Sequence, residues 1–212
     1  MARLLKPLNI SWVVNARANT DYETLKEMRD AGMHHVVVGF ESGNEQILKN
    51  VKKGVTKAQA IEFTRNCKKL GITIHGAFIM GLPGETRETI KETIAYAIGL
   101  DLTSIQASLA SPYPGTEFYE QAKKEGWISS DNFLDASGHQ KCVINYPDLS
   151  NQEIFDAVEL FYKKFYFRPK YIARSIFKMM VDSKERKKLL KEGAQYLDYM
   201  RKRKEGKCDC KD

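Results

Sequence analysis

Cysteine is scarce in this 212-residue chain, and its four copies, Cys67, Cys142, Cys208 and Cys210, are scattered apart from a terminal C-x-C. No C-x-x-C pair occurs, which excludes the spacing of a zinc site or a disulfide framework. There is no run of about 18 apolar residues, so no membrane-spanning helix is expected. The start, "MARLLKPLNISWVV", lacks a long apolar segment and a small-residue cleavage site, so it does not read as a secretion leader, and a cytoplasmic protein is expected. G-x-G-x-x-G, the Walker A loop and the nucleophile elbow are all missing. Composition alone names no catalytic residue and no metal ligand.

Charge is unevenly distributed. Residues 163–212 hold 17 Lys and Arg against 7 Asp and Glu, a surplus of +10. Residues 1–162 hold 17 against 20, or −3, so the overall +7 hides a mildly acidic body and a basic tail. Such a tail suits solvated helix faces first, and an anionic membrane surface or nucleic acid second. No clear nucleic-acid signature accompanies it. The terminal "CDCKD" is expected to fray.

What is present is alternation. "NISWVVNA" (9–16), "HHVVVGF", "ITIHGAFIMG" (72–81) and "LTSIQASLAS" (102–111) are apolar runs rich in β-branched residues, which predict strands. Each is followed by a helical pattern with a capping residue, Thr20 or Asp21, Thr56, and Thr86 among them, and with glycine stops at Gly32 and Gly71. Strand–helix units spaced about 30 residues apart imply a parallel sheet covered by helices, either part of a β/α barrel or an open doubly wound sheet. Beyond about residue 149 the pattern is helical, with a Ser150/Glu153 capping box and breaks at Pro169 and near Asp182-Ser183. Four units fall short of the roughly 250 residues of a full eightfold barrel. The fold class is therefore α/β, a partial open (β/α) barrel of about four parallel strands over residues 1–130. An all-helical region with a basic tail follows over 131–212.

In such folds ligands bind at the carboxyl ends of the strands. The stretch "HHVVVGFESGNEQIL" (34–48) puts a carboxylate, Glu41, with Ser42 and Gly43, where Val36-Val37-Val38 runs out. Arg17 follows the preceding strand, and the pair suits a ligand carrying both a carboxylate and an amine or ribose hydroxyls. A salt bridge between Arg17 and Glu41 is the structural alternative. After the third strand, "GLPGET" predicts a type II turn at Leu82-Pro83-Gly84, and Gly81 lets a ligand approach the backbone. His75 reads as a satisfied core histidine.

The segments "VGFESGNEQILKNVKKG", "IHGAFIMGLPGET" and "ASPYPGTEFYEQAKKEGWI" together resemble the radical S-adenosylmethionine enzymes over roughly residues 8–130. The closest likeness is to the subgroup that carries a cobalamin-binding domain, including hopanoid-biosynthesis radical proteins and the chlorophyll-ring cyclase. The resemblance implies a six-unit open barrel. In that family a four-iron four-sulfur (4Fe-4S) cluster cleaves S-adenosylmethionine to methionine and a 5′-deoxyadenosyl radical. It also implies that Glu41, Ser42 and Gly43 meet the adenosylmethionine, that Arg17 meets its carboxylate, and that Gly81 with "GAFIMG" lies near the adenine.

The family's C-x-x-x-C-x-x-C cluster loop does not occur in these 212 residues. The four units match the family's third to sixth, so the chain is expected to be a carboxyl-terminal portion whose amino-terminal part is missing. Alone it is expected to be inactive, with an uncovered sheet edge at "NISWVVNA" prone to self-association. The partner that the resemblance implies is a small-molecule or lipid-like substrate, together with the missing amino-terminal portion. The alternatives are a scaffold or binding protein that docks through its tail, and an unrelated β/α enzyme with Glu41 as general base.

Overall fold

The computed structural model describes residues 1–130, 132, 141–181 and 183–206. Asp182, Cys208 and Cys210, with the expectations attached to them, lie outside the described residues. The chain divides into two compact units, 1–165 and 166–212.

The first unit is built on four strands, β1 (Trp12–Asn15), β2 (Met33–Glu41), β3 (Thr73–Met80) and β4 (Ser104–Leu109). All pair in parallel, in the order β1-β2-β3-β4. That order decides between the two expected architectures. Right-handed crossovers that always step the same way put every helix on one face of the sheet, as in a barrel, whereas a doubly wound sheet reverses.

Side-chain alternation shows the same sidedness. Val36, Val38, Phe40, Ile74, Phe78, Met80, Ile105 and Leu109 are buried on the helix side. Their neighbours His35, Gly39, Glu41, Thr73, His75, Ser104, Gln106 and Ser108 alternate onto the opposite face, where they are half-buried or exposed. The strands are thus not uniformly apolar, and the polar face corresponds to a barrel's interior. His75 sits there, its ring Nδ1 2.8 Å from Ser104 Oγ, with burial lowering its pKa.

The helices form where caps and apolar spacing dictate. α1 (Ala2–Leu5) precedes β1, and Asp21 caps α2 (Tyr22–Asp30). Asn44 caps α3 (Glu45–Asn50) through two backbone N–H groups. Thr56 and Thr86 close capping boxes on α4 (Lys57–Lys69) and α5 (Arg87–Leu100), and Thr116 caps α6 (Glu117–Lys124). α7 (Asn151–Tyr166) lays Phe161 edge-on against Phe78, ring centroids 5.1 Å apart, and Phe78 stacks on Phe40 at 5.6 Å. Burying such a ring contributes roughly 1.5–3 kcal/mol, which holds α7 to the sheet. The first compact unit runs to Phe165 and so takes in α7 with the strands.

The two edges of the sheet differ. On β4, Tyr162 Oη accepts from the Ala107 N–H at 3.0 Å and lies 3.5 Å from the Ala107 carbonyl, capping backbone that would otherwise face outward. On β1, Trp12 and Ala16 donate to β2-side carbonyls, which directs Val13 and Asn15 to the other side, where no strand pairs among the described residues. Val13 is also 57% exposed.

The second unit contains α8 (Pro169–Val181) and α9 (Ser183–Gly206), which pack on each other. Among the described residues no helix is long and apolar enough to cross a membrane.

Candidate functional site

The carboxyl ends of the four strands form one rim, and short-range chemistry ties its loops together. β2 ends irregularly: the register slips between Gly39 and Glu41, and Glu41 takes a left-handed backbone with φ 61°. A non-glycine residue seldom adopts that conformation, and bulges of this sort re-aim a side chain. Here the carboxylate folds back over Gly39, whose missing side chain leaves the space. A Cβ at Gly39 would stand 2.4 Å from Glu41 Oε1 and 3.0 Å from Lys53 Nζ. Glu41 Oε1 accepts from Lys53 Nζ at 2.7 Å, and both side chains are largely withdrawn from solvent. The second carboxylate oxygen has no partner among the described residues.

Lys53 sits in the hairpin-like end of α3, where Lys52 (φ 51°) and Gly54 (φ 66°) curl the chain. Its carbonyl accepts from Arg17 Nη2 at 3.3 Å, and the rest of the Arg17 guanidinium is unpartnered among the described residues. Arg17 and Glu41 therefore share a neighbourhood but do not pair. Lys53 stands between them and replaces the salt bridge considered from sequence.

The same helix end reaches two further loops. Asn50 Nδ2 donates to the Pro83 carbonyl at 3.0 Å, and Lys52 Nζ pairs with Glu117 of α6 at 2.6 Å. The Leu82–Glu85 turn closes as expected, Glu85 N–H to Leu82 carbonyl at 3.0 Å with Gly84 at φ 84°. Ile47, Leu82 and Ala110, with Val51, Ile79 and Phe118 against them, form an apolar patch at this end of the sheet. Residues 50–54 thus join three of the segments whose co-occurrence marks the sequence.

Ser42 and Gly43 turn away from the mouth. The Ser42 hydroxyl is fully buried, 3.1 Å from Thr93 Oγ1, and Gly43 N–H donates to the same oxygen at 2.9 Å. A Cβ on Gly43 would lie 2.6 Å from the Thr93 Cα. These two residues fasten the loop to α5.

Gly81, at φ 88°, is clamped from both sides. Its N–H donates to Glu85 Oε2, and its carbonyl accepts from Tyr146 Oη at 2.9 Å. Tyr146 comes from a segment at 141–149 that lies antiparallel beside Ile128 and stacks edge-on against Trp127 at 4.9 Å. Glu85 is 4% exposed, and its Oε1 is buried without a hydrogen bond among the described residues. Desolvation pushes its carboxyl up to about 7, against the Gly81 and Leu82 N–H groups that favour the anion. Burial and the nearby Glu85 charge also raise the Tyr146 phenol. Sequence reading missed Lys53, Glu85 and Tyr146. Lys53 lay inside the quoted "KKG", and Glu85 looked like an ordinary first-turn carboxylate beside the Thr86 cap.

No cluster of three or more His, Cys, Asp or Glu suited to a metal occurs among the described residues. Burial pushes the Cys67 and Cys142 thiols up to about 12 and about 11, so neither is a ready thiolate. These residues do not fit an iron–sulfur cluster.

A singly wound parallel sheet with an acidic and two basic side chains at its carboxyl mouth defines a β/α-barrel portion. Residues 1–97 match the radical SAM superfamily and belong to it. It is 35% identical over 171 residues to an uncharacterized methyltransferase of Pyrococcus horikoshii, covering 80% of this chain and 37% of that protein. It is 27% identical over 174 residues to cytidylyl-2-hydroxyethylphosphonate methyltransferase of Streptomyces wedmorensis, covering 77% and 33%. The fold matches the radical S-adenosylmethionine methyltransferase TsrM of Kitasatospora setae, solved with tryptophan substrate and a SAM analog. That match has a TM-score of 0.61 at 20% identity, over 80% of this chain and 40% of that one. The chain spans about a third of the length of the curated relatives it matches.

Proposed function

We propose that this chain supplies the carboxyl-terminal part of a radical S-adenosylmethionine catalytic domain of the cobalamin-associated methyltransferase type. In this reading its rim holds S-adenosylmethionine, and the cluster ligands come from outside these residues. The observation that carries the proposal is the Glu41–Lys53–Arg17 arrangement at the strand mouths. Glu41 offers an unpartnered oxygen to an ammonium or to ribose hydroxyls, and the unpartnered part of the Arg17 fork matches a carboxylate. The half-buried Ile79, two residues before Gly81 at the end of β3, suits the flat face of a base. When bound, S-adenosylmethionine supplies a sulfonium whose cleavage or methyl transfer is the family's chemistry. The residues of this chain bind and orient it. A lipid-like substrate, as in the hopanoid-biosynthesis proteins that the sequence resembles, belongs to the same reading.

Equilibrium dialysis of the chain against labelled S-adenosylmethionine tests the proposal. Binding should fall about tenfold or more in Glu41→Gln and in Arg17→Ala, each of which removes a charge-assisted hydrogen bond of about 1.5–3 kcal/mol. Binding that both variants leave unchanged would assign the rim another role.

A further inference from the structure

We propose that α8 is an interfacial helix that seats the second unit on an anionic lipid bilayer. Its sequence, "PKYIARSIFKMMV", places Ile172, Ile176 and Met180 at i, i+4 and i+8, with Phe177 and Val181 in the adjoining row. In a water-soluble helix that stripe faces a core. Here no residue of α8 is buried, and exposure rises along the stripe to 66% at Phe177 and 79% at Met180. Lys170, Arg174 and Lys178 occupy the opposite side of the helical wheel from Ile172, Ile176 and Met180. An apolar face backed by cations is the pattern of a helix lying in a membrane interface, its apolar side chains among the acyl chains.

Charge selects the partner. The surplus of +10 over residues 163–212 favours an anionic surface, each cation near it strengthening binding about fivefold. It opposes a second copy of the chain, which would bring two such clusters together. RNA is disfavoured because single-stranded nucleic acid is held on aromatic platforms, and the exposed row is aliphatic apart from Phe177. This inference uses none of the rim residues and stands apart from the reading of that site.

Flotation of the full chain with vesicles of phosphatidylglycerol and phosphatidylcholine, against vesicles of phosphatidylcholine alone, tests it. Binding to the anionic vesicles is expected, weakened by salt, and reduced about tenfold or more by the double substitution Phe177→Ser with Met180→Ser. Lys178→Gln should cost about fivefold. Leu8→Ser, which removes an exposed leucine of the first unit, should change nothing. Circular dichroism of each variant checks that helix content is kept. Equal binding to both vesicle types would overturn the proposal. So would insensitivity to the double substitution, or capture of RNA in preference to lipid.

Discussion

Glu85→Gln should flatten the pH dependence of stability. The Glu85 carboxyl is 4% exposed, one oxygen held by the Gly81 N–H and the other without a partner among the described residues. Its pKa is pushed up to about 7 in the folded chain, against about 4.3 in an unfolded one. The folded protein therefore holds the proton more tightly, and stability is fully present below the unfolded value. It is lost as pH rises, until the folded value is passed. Between pH about 5 and 8 the loss is about 2–3 kcal/mol, at 1.36 kcal/mol per unit. A chain of this size shifts by about 2–4 °C per kcal/mol. The melting temperature of the native chain should thus fall by roughly 5–10 °C relative to Glu85→Gln over that range. The amide keeps an oxygen for the Gly81 N–H and has no proton to lose. Tyr146 and Cys142, both raised by burial, stay neutral throughout and do not contribute. Thermal melts of both proteins at several pH values measure the difference. Parallel curves would refute the reasoning.

Gly39→Ala should leave stability within about 1 kcal/mol, because the new methyl meets only the flexible ends of Glu41 and Lys53. It should still weaken S-adenosylmethionine binding as strongly as loss of the carboxylate does, read by the same dialysis. Tyr162→Phe should cost about 1 kcal/mol in chemical denaturation by removing the partner of the Ala107 N–H. On the other edge, Val13→Lys should suppress concentration-dependent self-association in light scattering without lowering the melting temperature. Anaerobic reconstitution with iron and sulfide should yield no stoichiometric four-iron cluster, by iron assay and visible absorption, since the four cysteines lack the C-x-x-x-C-x-x-C spacing and the thiols of Cys67 and Cys142 are raised by desolvation.

Much of the fold was legible because strands and helices advertise themselves locally. β-branched runs alternate with helical patterns that stop at Gly32 and Gly71, and Thr56 and Thr86 cap the helices they precede. The type II turn at Leu82–Glu85 was readable from Pro83 and Gly84 alone. Sidedness was not, because His35, Thr73 and His75 look like interruptions of apolar runs until strand order shows which face they share. The place of α7 was hidden for a similar reason. Phe161 reads as one aromatic in a stripe, and only the sheet reveals Phe78 beneath it.

At the site, the strand-end position of Glu41 was readable, but its partner was not. Lys53 lies twelve residues on, and only the turn at Lys52 and Gly54 brings it back. Ser42 and Gly43 carry a further contact that no local pattern announces: their hydrogen bonds run to Thr93 of α5, fifty residues away. Burial of Glu85 depends on Gly81 and on the 141–149 segment, which no local pattern announces.

The central claim is that the carboxyl mouths of these four strands cradle S-adenosylmethionine. Amide chemical-shift mapping of the 212-residue chain during titration with that ligand tests it most directly. Shifts should gather at Arg17, at Gly39 to Gly43, at Lys53 and Gly54, and at Ile79 to Leu82, and should vanish in Glu41→Gln. Shifts confined to the opposite ends of the strands or to α9, or an unperturbed rim at saturating ligand, would contradict it.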